Sequence, residues 1–368
     1  MKNNIINSFK SFLILLLIVA GASCQKLQET PEGIAVPSNF YGTIAQCEAA
    51  YAGSMNTLYS TWNAYQNGVS FPDGQYEGAD LDFSVGSFNE VWTWHYKAIS
   101  NVNAVLKAVK AGSLAGNSTE AIANIVAQGR FLRAYNYFNL VRLYGKIPYI
   151  TEDTPDPVST PLTAASRLEI AAVYDLIEAD LLDATTNLGD YDGAAAMKPN
   201  KWMAKGFLAK VYLTRATAPL NQTENYAKAR DMADDVITNG PYALLPKFED
   251  VFKTSNNRNM EIMFAFTVSS DAPYMPGNVW APSEMDGWSS GPVKILWATT
   301  IYPEQPRKHS YILLDFTSDI YDPSARVINW SESADGVPYI GKLNMPNLTY
   351  DQQASGGDAG IEMKLLRL

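Results

Sequence analysis

The run Gln128 Gly129 Arg130 Phe131 Leu132 Arg133 Ala134 Tyr135 Asn136 Tyr137 Phe138 Asn139 Leu140 Val141 Arg142 Leu143 Tyr144 Gly145 decides how this chain is built. It is free of proline, with Ser118 or Thr119 placed upstream to cap a helix and Gly145 and Pro148 placed to stop it. Its polar residues Arg130, Arg133, Asn136, Asn139 and Arg142 recur at every third position. Three falls short of the 3.6 residues of a helical turn, so these side chains drift round the cylinder and hold no single wet face. The helix is therefore expected to be buried on most sides. Its arginines then need carboxylates or carbonyls, which neighbouring helices are expected to supply, because an unpaired buried charge is prohibitively costly.

Outward from this run the helical spacing continues in both directions. Upstream, Ile44, Ala45, Glu48, Ala49, Ala52, Met55 and Leu58 keep a helical period as far as Trp62 and Tyr65, and a second helix is predicted from Val91 to Ala111. Downstream, helices are predicted over Arg167 to Leu188, Lys201 to Ala218 and Glu224 to Asn239, separated by Gly189, Gly193, Pro199, Pro219 and Gly240 Pro241. Successive helix pairs of this length predict a mainly α fold, a tetratricopeptide-like helical-repeat scaffold over residues 41–240, although the strict repeat consensus is absent. Residues 241–368 change texture, with Pro246, Pro273, Pro276, Pro282, Pro292, Pro303 and Pro306 among brief apolar runs such as Ile262 Met263 Phe264 Ala265 Phe266. That stretch reads as a loop-rich region with a few short strands, laid against the helices.

The N-terminus reads as an export signal. Lys2 and Lys10 precede an apolar run of nine residues, Phe12 to Ala20, and then Gly21 Ala22 Ser23 Cys24. Nine is too few to span a bilayer, which takes roughly 20. Small residues directly before a cysteine resemble the lipobox of bacterial lipoproteins, so residues 1–23 are expected to be removed and Cys24 acylated. An ordinary leader that cleaves near a cysteine is the alternative, and Gly21 stands where the lipobox usually has leucine. Two or three acyl chains would anchor stably where one binds only marginally. Residues 24–40, broken by Pro31, Gly33 and Pro37, then read as a tether.

Composition excludes several functions. With Cys24 acylated, Cys47 is the only thiol left, so neither an intramolecular disulfide nor a cysteine metal site is expected. His95 and His309 are the only histidines, too few for a histidine-rich metal centre. A net charge of −10 argues against nucleic acid, which needs a basic face. Asp80, Asp82 and Glu90 suggest a calcium loop, but Val85 and Val91 occupy the positions that require Gly and Glu. No metal or cofactor is expected.

The helix from Arg130 Phe131 Leu132 Arg133 Ala134 Tyr135 through Tyr137 Phe138, Leu140 Val141 Arg142 Leu143 Tyr144 Gly145 to Pro148 resembles the signature helix of SusD/RagB proteins. Matches in the same order include Trp92, Tyr96, Ile99 and Asn103, then Tyr174 Asp175, Ile177, Asp180 Leu181 and Ala184. Lys201, Ala204, Leu208 Ala209, Val211 Tyr212 Leu213 and Glu261 Ile262 Met263 Phe264 complete them. The resemblance covers most of residues 24–368. It implies a non-catalytic lipoprotein on the outer face of the outer membrane, anchored through its N-terminal lipid. Such a protein captures oligosaccharides or peptides and delivers them to a SusC-like TonB-dependent transporter. Family members are longer, and the chain ends at Lys364 Leu365 Leu366 Arg367 Leu368, near where a further helical region of the family opens, so it is expected to be C-terminally incomplete.

Sugars suit aromatic platforms ringed by hydrogen-bonding side chains. Trp92, Tyr96, Tyr135, Tyr137, Phe138 and Tyr144 sit in periodic helices and are expected to pack in the core. Trp62, Tyr65, Tyr76, Asp80 and Asp82 lie in or beside a long Gly-rich loop, and Tyr274, Trp280, Trp288 and Trp297 lie among Gly and Pro. These two clusters are the candidate ligand contacts, expected to converge on one ligand. A glycosidase would need two carboxylates about 5–10 Å apart, and a pair such as Asp80 and Glu284 is one choice among 38 acids. A scaffold that binds only proteins is the third reading.

Overall fold

The computed structural model describes residues 40–55, 86–155, 166–193, 198–251, 259–266 and 363–367, with Asn256 and parts of 282–340. Contacts divide the chain into Met1–Phe40 and Tyr41–Leu368, and the elements named next belong to the second. Helix α1 covers 44–55. It is followed by α2 (Gly86–Lys110), α3 (Thr119–Tyr144), α4 (Ile170–Asn187), α5 (Lys201–Ala216) and α6 (Asn225–Asn239). From α2 onward each helix packs on the next, α2 on α3, α3 on α4, α4 on α5 and α5 on α6. This is the mainly α, repeat-like stack that the periodicity implies.

Capping defines the helix ends. Ser118 accepts the Ala121 N–H at the start of α3, and Gly145 closes it at φ 71°, its N–H donating to the Val141 carbonyl. Asn200 opens α5 by accepting the N–H groups of Trp202 and Met203. Two boundaries differ from the sequence reading by more than two residues. Helix α2 begins at Gly86, five residues before the predicted Val91, and Arg167–Leu168 is not helical but a short strand. That strand, β2, pairs antiparallel with β1 (Ile147–Pro148), Ile147 opposite Leu168.

Four two-stranded ribbons are seen among the described residues. Besides β1–β2, strand β3 (Ile262–Phe266) pairs with β8 (Met363–Arg367). Strand β4 (Ile312–Leu313) pairs with β7 (Tyr339–Ile340), and β5 (Asp315–Thr317) with β6 (Val327–Asn329). One large apolar core runs through the helices and takes in Met263 and Phe264 of β3. There Phe264 meets Phe131 edge-on at 5.2 Å and Tyr135 at 5.5 Å, while Phe207 of α5 lies 5.2 Å from Phe138. Strand β3 thus packs on the face of α3.

Helix α3 is buried nearly all round, and its polar residues are satisfied as burial demands. Arg133 makes a bidentate pair with Asp180 of α4, Nε to Oδ2 and Nη2 to Oδ1 each at 2.8 Å. Its Nη1 also reaches Asn103 Oδ1 of α2 at 3.1 Å and the Glu152 carboxylate. Burial pushes the Glu152 carboxyl upward, but Arg133 beside it reverses this and leaves it below the usual carboxylate range. Around this centre Tyr149 donates to Asp180 at 3.0 Å and stacks on Tyr137 at 3.9 Å. The Tyr137 hydroxyl accepts from the Ile150 N–H at 2.7 Å. Arg133 therefore ties α2, α3, α4 and the 146–155 segment together. Arg130 pairs with Asp183 at 2.7 Å. Arg142 departs from the expectation, since it is exposed and lies over the Phe138 ring at 5.0 Å.

Helix α1 meets α3 closely. Tyr51 is buried and donates to the Ile125 carbonyl at 3.0 Å. A Cβ on Gly129 would lie 2.9 Å from Leu106 Cδ2 and collide with the Tyr51 hydroxyl. Gly129→Ala is expected to lower stability by up to about 2 kcal/mol in denaturant titrations, overpacking of about 1–3 kcal/mol being offset by a helix-propensity gain of about 1 kcal/mol. An increase in stability would show that the contact relaxes freely.

Candidate ligand-binding surface

Of the nine candidate ligand residues, Trp297 alone lies among the described residues. Trp62, Tyr65, Tyr76, Asp80 and Asp82, and Tyr274, Trp280 and Trp288, fall outside them, as does Cys24. The expected convergence of the two clusters on one ligand falls outside them too.

Trp297 opens a short π-helical turn, Trp297–Ile301. Trp297 is half-buried, and the next residue, Ala298, is fully buried. The apolar neighbours Leu296 and Ile301 are 63% and 60% exposed, so this turn presents apolar surface to solvent instead of burying it. The segment before it is held to β7 by the Val293 N–H, which donates to the Pro338 carbonyl at 2.7 Å. A small second core of Met285, Leu313, Phe316, Ile328 and Tyr339 supports the region, with Trp330 packed on it.

Polar latches fasten this region at its rim. Ser289 donates to Asp335 at 2.9 Å, and the Tyr339 hydroxyl donates to the same carboxylate. Burial, reinforced by Asp335, pushes the Tyr339 hydroxyl up to about 12. Glu284, weighed in sequence as half of a hydrolytic pair, accepts the Ala334 N–H at 2.8 Å, a loop-holding bond. Asp80, the other half, lies outside the described residues.

The helix aromatics expected in the core are found there. Tyr137 and Phe138 are buried, and Trp92, Tyr96, Tyr135 and Tyr144 are partly buried against the helical core. Trp92 packs on Tyr96 at 4.7 Å and edge-on to Tyr144 at 5.0 Å, while Tyr96 donates to the Pro148 carbonyl at 2.6 Å. Sequence reasoning passed over Trp94. That ring is half-buried beneath Lys97, whose Nζ stands 4.6 Å from its centroid, and it is absent from the core. Its place off the apolar stripe of α2, out of step with Trp92 and Tyr96, was the available signal. Among the described residues no cluster of three or more His, Cys, Asp or Glu is arranged to hold a metal. No helix among them is long and apolar enough to cross a membrane.

Residues 25–213 match a family model described as SusD-like, starch-binding associating with outer membrane. A SusD-like protein of Bacteroides ovatus is 31% identical over 272 residues, 68% of this chain and 47% of that protein. A SusD-like protein of Formosa agariphila is 29% identical over 271 residues, 68% of this chain and 50% of its own length. The chain thus spans about half the length of the curated relatives it matches. One crystal structure, solved with a xylogluco-oligosaccharide, superposes with a TM-score of 0.67 at 22% identity, covering 87% of this chain and 68% of that one. A SusD superfamily protein from Bacteroides vulgatus gives a TM-score of 0.66 at 17% identity, covering 89% and 74%.

Proposed function

The chain belongs to the SusD-like family, and from that membership we propose that it is a cell-surface lipoprotein that binds oligosaccharides without cleaving them and hands them to a SusC-like TonB-dependent transporter. The observation that carries this reading is the family match across residues 25–213, a family described as starch-binding and associated with the outer membrane. The xylogluco-oligosaccharide of the structural neighbour supports a glycan as the ligand class. Cys24, behind its short apolar run, supplies the lipid anchor that would hold the protein at the outer membrane, facing outward.

Within this reading Trp297 is a ligand contact. Its half-buried ring offers a stacking face to the C–H surface of a sugar while its packed side keeps it from turning away. Trp62, Tyr65, Tyr76, Asp80, Asp82, Tyr274, Trp280 and Trp288 are proposed with it, the aromatics as platforms and the acids as acceptors for hydroxyls. Such groups bind without chemistry, since nothing in the proposal protonates or attacks a glycosidic bond.

The test is affinity electrophoresis of the full chain in detergent through gels containing plant and host polysaccharides, with reducing-sugar release measured in parallel. Retention without release is expected, and Trp297→Ala is expected to weaken it about five-fold, the loss of one stacking contact of about 1 kcal/mol. Release of sugar would overturn the reading in favour of a glycosidase. A folded protein retained on no polysaccharide would point to a peptide ligand or a protein-binding scaffold.

A further inference from the structure

We propose that the cleft where the first half of α3 meets the α4–α5 connection is a second saccharide subsite, taking one sugar unit through its hydroxyls. The cleft encloses about 110 Å³ and is lined by Asn124, Asp190, Tyr191, Asp192, Lys198 and Asn200. It lies on the helical scaffold, on elements other than those that carry the candidate ligand residues. The proposal rests on the oligosaccharide-binding reading, because it adds a contact for the same class of ligand.

The frame of the cleft is preorganised. Asn200 caps α5 through Oδ1, accepting from Trp202 N at 2.9 Å and Met203 N at 3.0 Å, while its Nδ2 donates to the Tyr242 hydroxyl at 3.1 Å. The Lys201 N–H closes the connection onto the Gly189 carbonyl at 3.0 Å. Asp190 accepts from Tyr191 N at 2.9 Å, Trp202 Nε1 at 2.6 Å and Lys201 Nζ at 2.6 Å. These bonds hold its carboxyl down at about 2, so it stays an acceptor at any ordinary pH.

The lining selects the ligand by elimination. An anion would meet the Asp190 and Asp192 carboxylates, and a cation would meet Lys198 and the Lys201 already seated on Asp190. A hydrocarbon would strip water from polar walls with nothing to replace it. Lys198 is paired with Glu48 at 3.1 Å and Lys201 with Asp190 at 2.6 Å, which leaves the ammonium groups neutralised. A neutral polyol therefore fits, its hydroxyls able to exchange bonds with the carboxylates and the Asn124 amide. Tyr191 adds a ring 38% exposed, whose hydroxyl has no hydrogen-bond partner among the described residues. The volume lies well below the roughly 300–1,000 Å³ of pockets that enclose larger ligands, which limits occupancy to one unit or a chain end.

The test uses the full chain in detergent and the same polysaccharide gels, comparing wild type with Tyr191→Ala, Tyr191→Phe, Asp192→Lys, Trp297→Ala and the Tyr191→Ala/Trp297→Ala pair. Tyr191→Ala is expected to weaken retention about five-fold at an unchanged unfolding midpoint, and Tyr191→Phe, which keeps the ring, to retain most of the binding. Asp192→Lys, which fills the cleft with a longer side chain, is expected to weaken retention as much, and stands in should Tyr191→Ala disturb the fold. In the Trp297→Ala background, Tyr191→Ala is expected to remove what retention remains. Wild-type retention in both Tyr191→Ala and Asp192→Lys, alongside loss in Trp297→Ala, overturns the subsite and leaves the family reading standing. No retention of the folded wild type on any polysaccharide overturns both.

Discussion

Replacing Arg133 by methionine is expected to destabilise the protein by about 3–5 kcal/mol, the cost of breaking a buried ion pair from one side. The guanidinium is 4% exposed and serves two carboxylates and an amide on three different segments. Methionine fills much the same volume, so the loss is electrostatic and not a cavity. It leaves the buried Asp180 carboxylate with the Tyr149 hydroxyl alone and the part-buried Glu152 without its arginine, and it removes one of the anchors of the 146–155 segment. Adding Asp180→Asn and Glu152→Gln removes the stranded charge and is expected to recover part of the loss, which a thermodynamic cycle from denaturant titrations would measure. A loss under about 1 kcal/mol for Arg133→Met alone would mean that the carboxylates find water, and that the network is peripheral to stability.

A second large effect is expected on acidification. His95 is fully buried, and its Nδ1 lies 2.8 Å from Asn136 Oδ1, whose amide nitrogen donates to the Leu132 carbonyl. Nδ1 therefore carries a proton and donates it to Asn136 Oδ1. Burial pushes its pKa down to about 4 from the ordinary 6.5, against the smaller opposite pull of the Asn136 bond. Between pH 6.5 and 4 the unfolded chain takes up a proton on this ring and the folded chain does not, so stability is intact above pH 6.5 and falls as the pH drops toward 4. Each tenfold difference in proton affinity between the two states is worth about 1.4 kcal/mol, so roughly 3 kcal/mol is lost across that window, levelling off below it. His95→Gln keeps a group able to bond Asn136 but cannot titrate. Its stability is therefore expected to be flatter with pH by that amount, the contributions of the carboxylates being common to both proteins. Parallel curves for the two would place the ring in contact with water.

The helices were legible because burial writes a period into sequence. The three-residue recurrence of Arg130, Arg133, Asn136 and Asn139 announced a helix with no wet face, and α3 is that. What the period does not encode is which acid meets which arginine. Asp180 and Glu152 are unremarkable in the string, and only the rotation of α4 on α3 and the fold-back of the 146–155 segment bring them to Arg133. The same limit applies to Arg142, which the recurrence placed with the buried arginines but which is exposed and lies over the Phe138 ring. A strand of two residues carries no alternation to detect, so Arg167–Leu168 passed for the start of α4. Helix α2 starts earlier than the apolar period shows, at Gly86, because its first turn carries no apolar stripe to mark it. Aromatic side chains were hardest to sort, since a tryptophan in a core and one on a binding face look alike in sequence. Position against the helical stripe sorted Trp92 and Tyr96, and would have flagged Trp94.

Two of the three apolar cores among the described residues differ greatly in size. One runs through all six helices, while the other closes over Met285, Leu313, Phe316, Ile328 and Tyr339. At roughly 1.5–3 kcal/mol per large side chain fully buried, the smaller core stands near the low end of the stability range within the molecule. The region that carries Trp297 is then expected to open at lower cost than the helices, which faster amide exchange in it would show. If the proposed binding role holds, substitutions in the small core and its loops would reshape the face around Trp297 at less cost to the helices than substitutions in the large core.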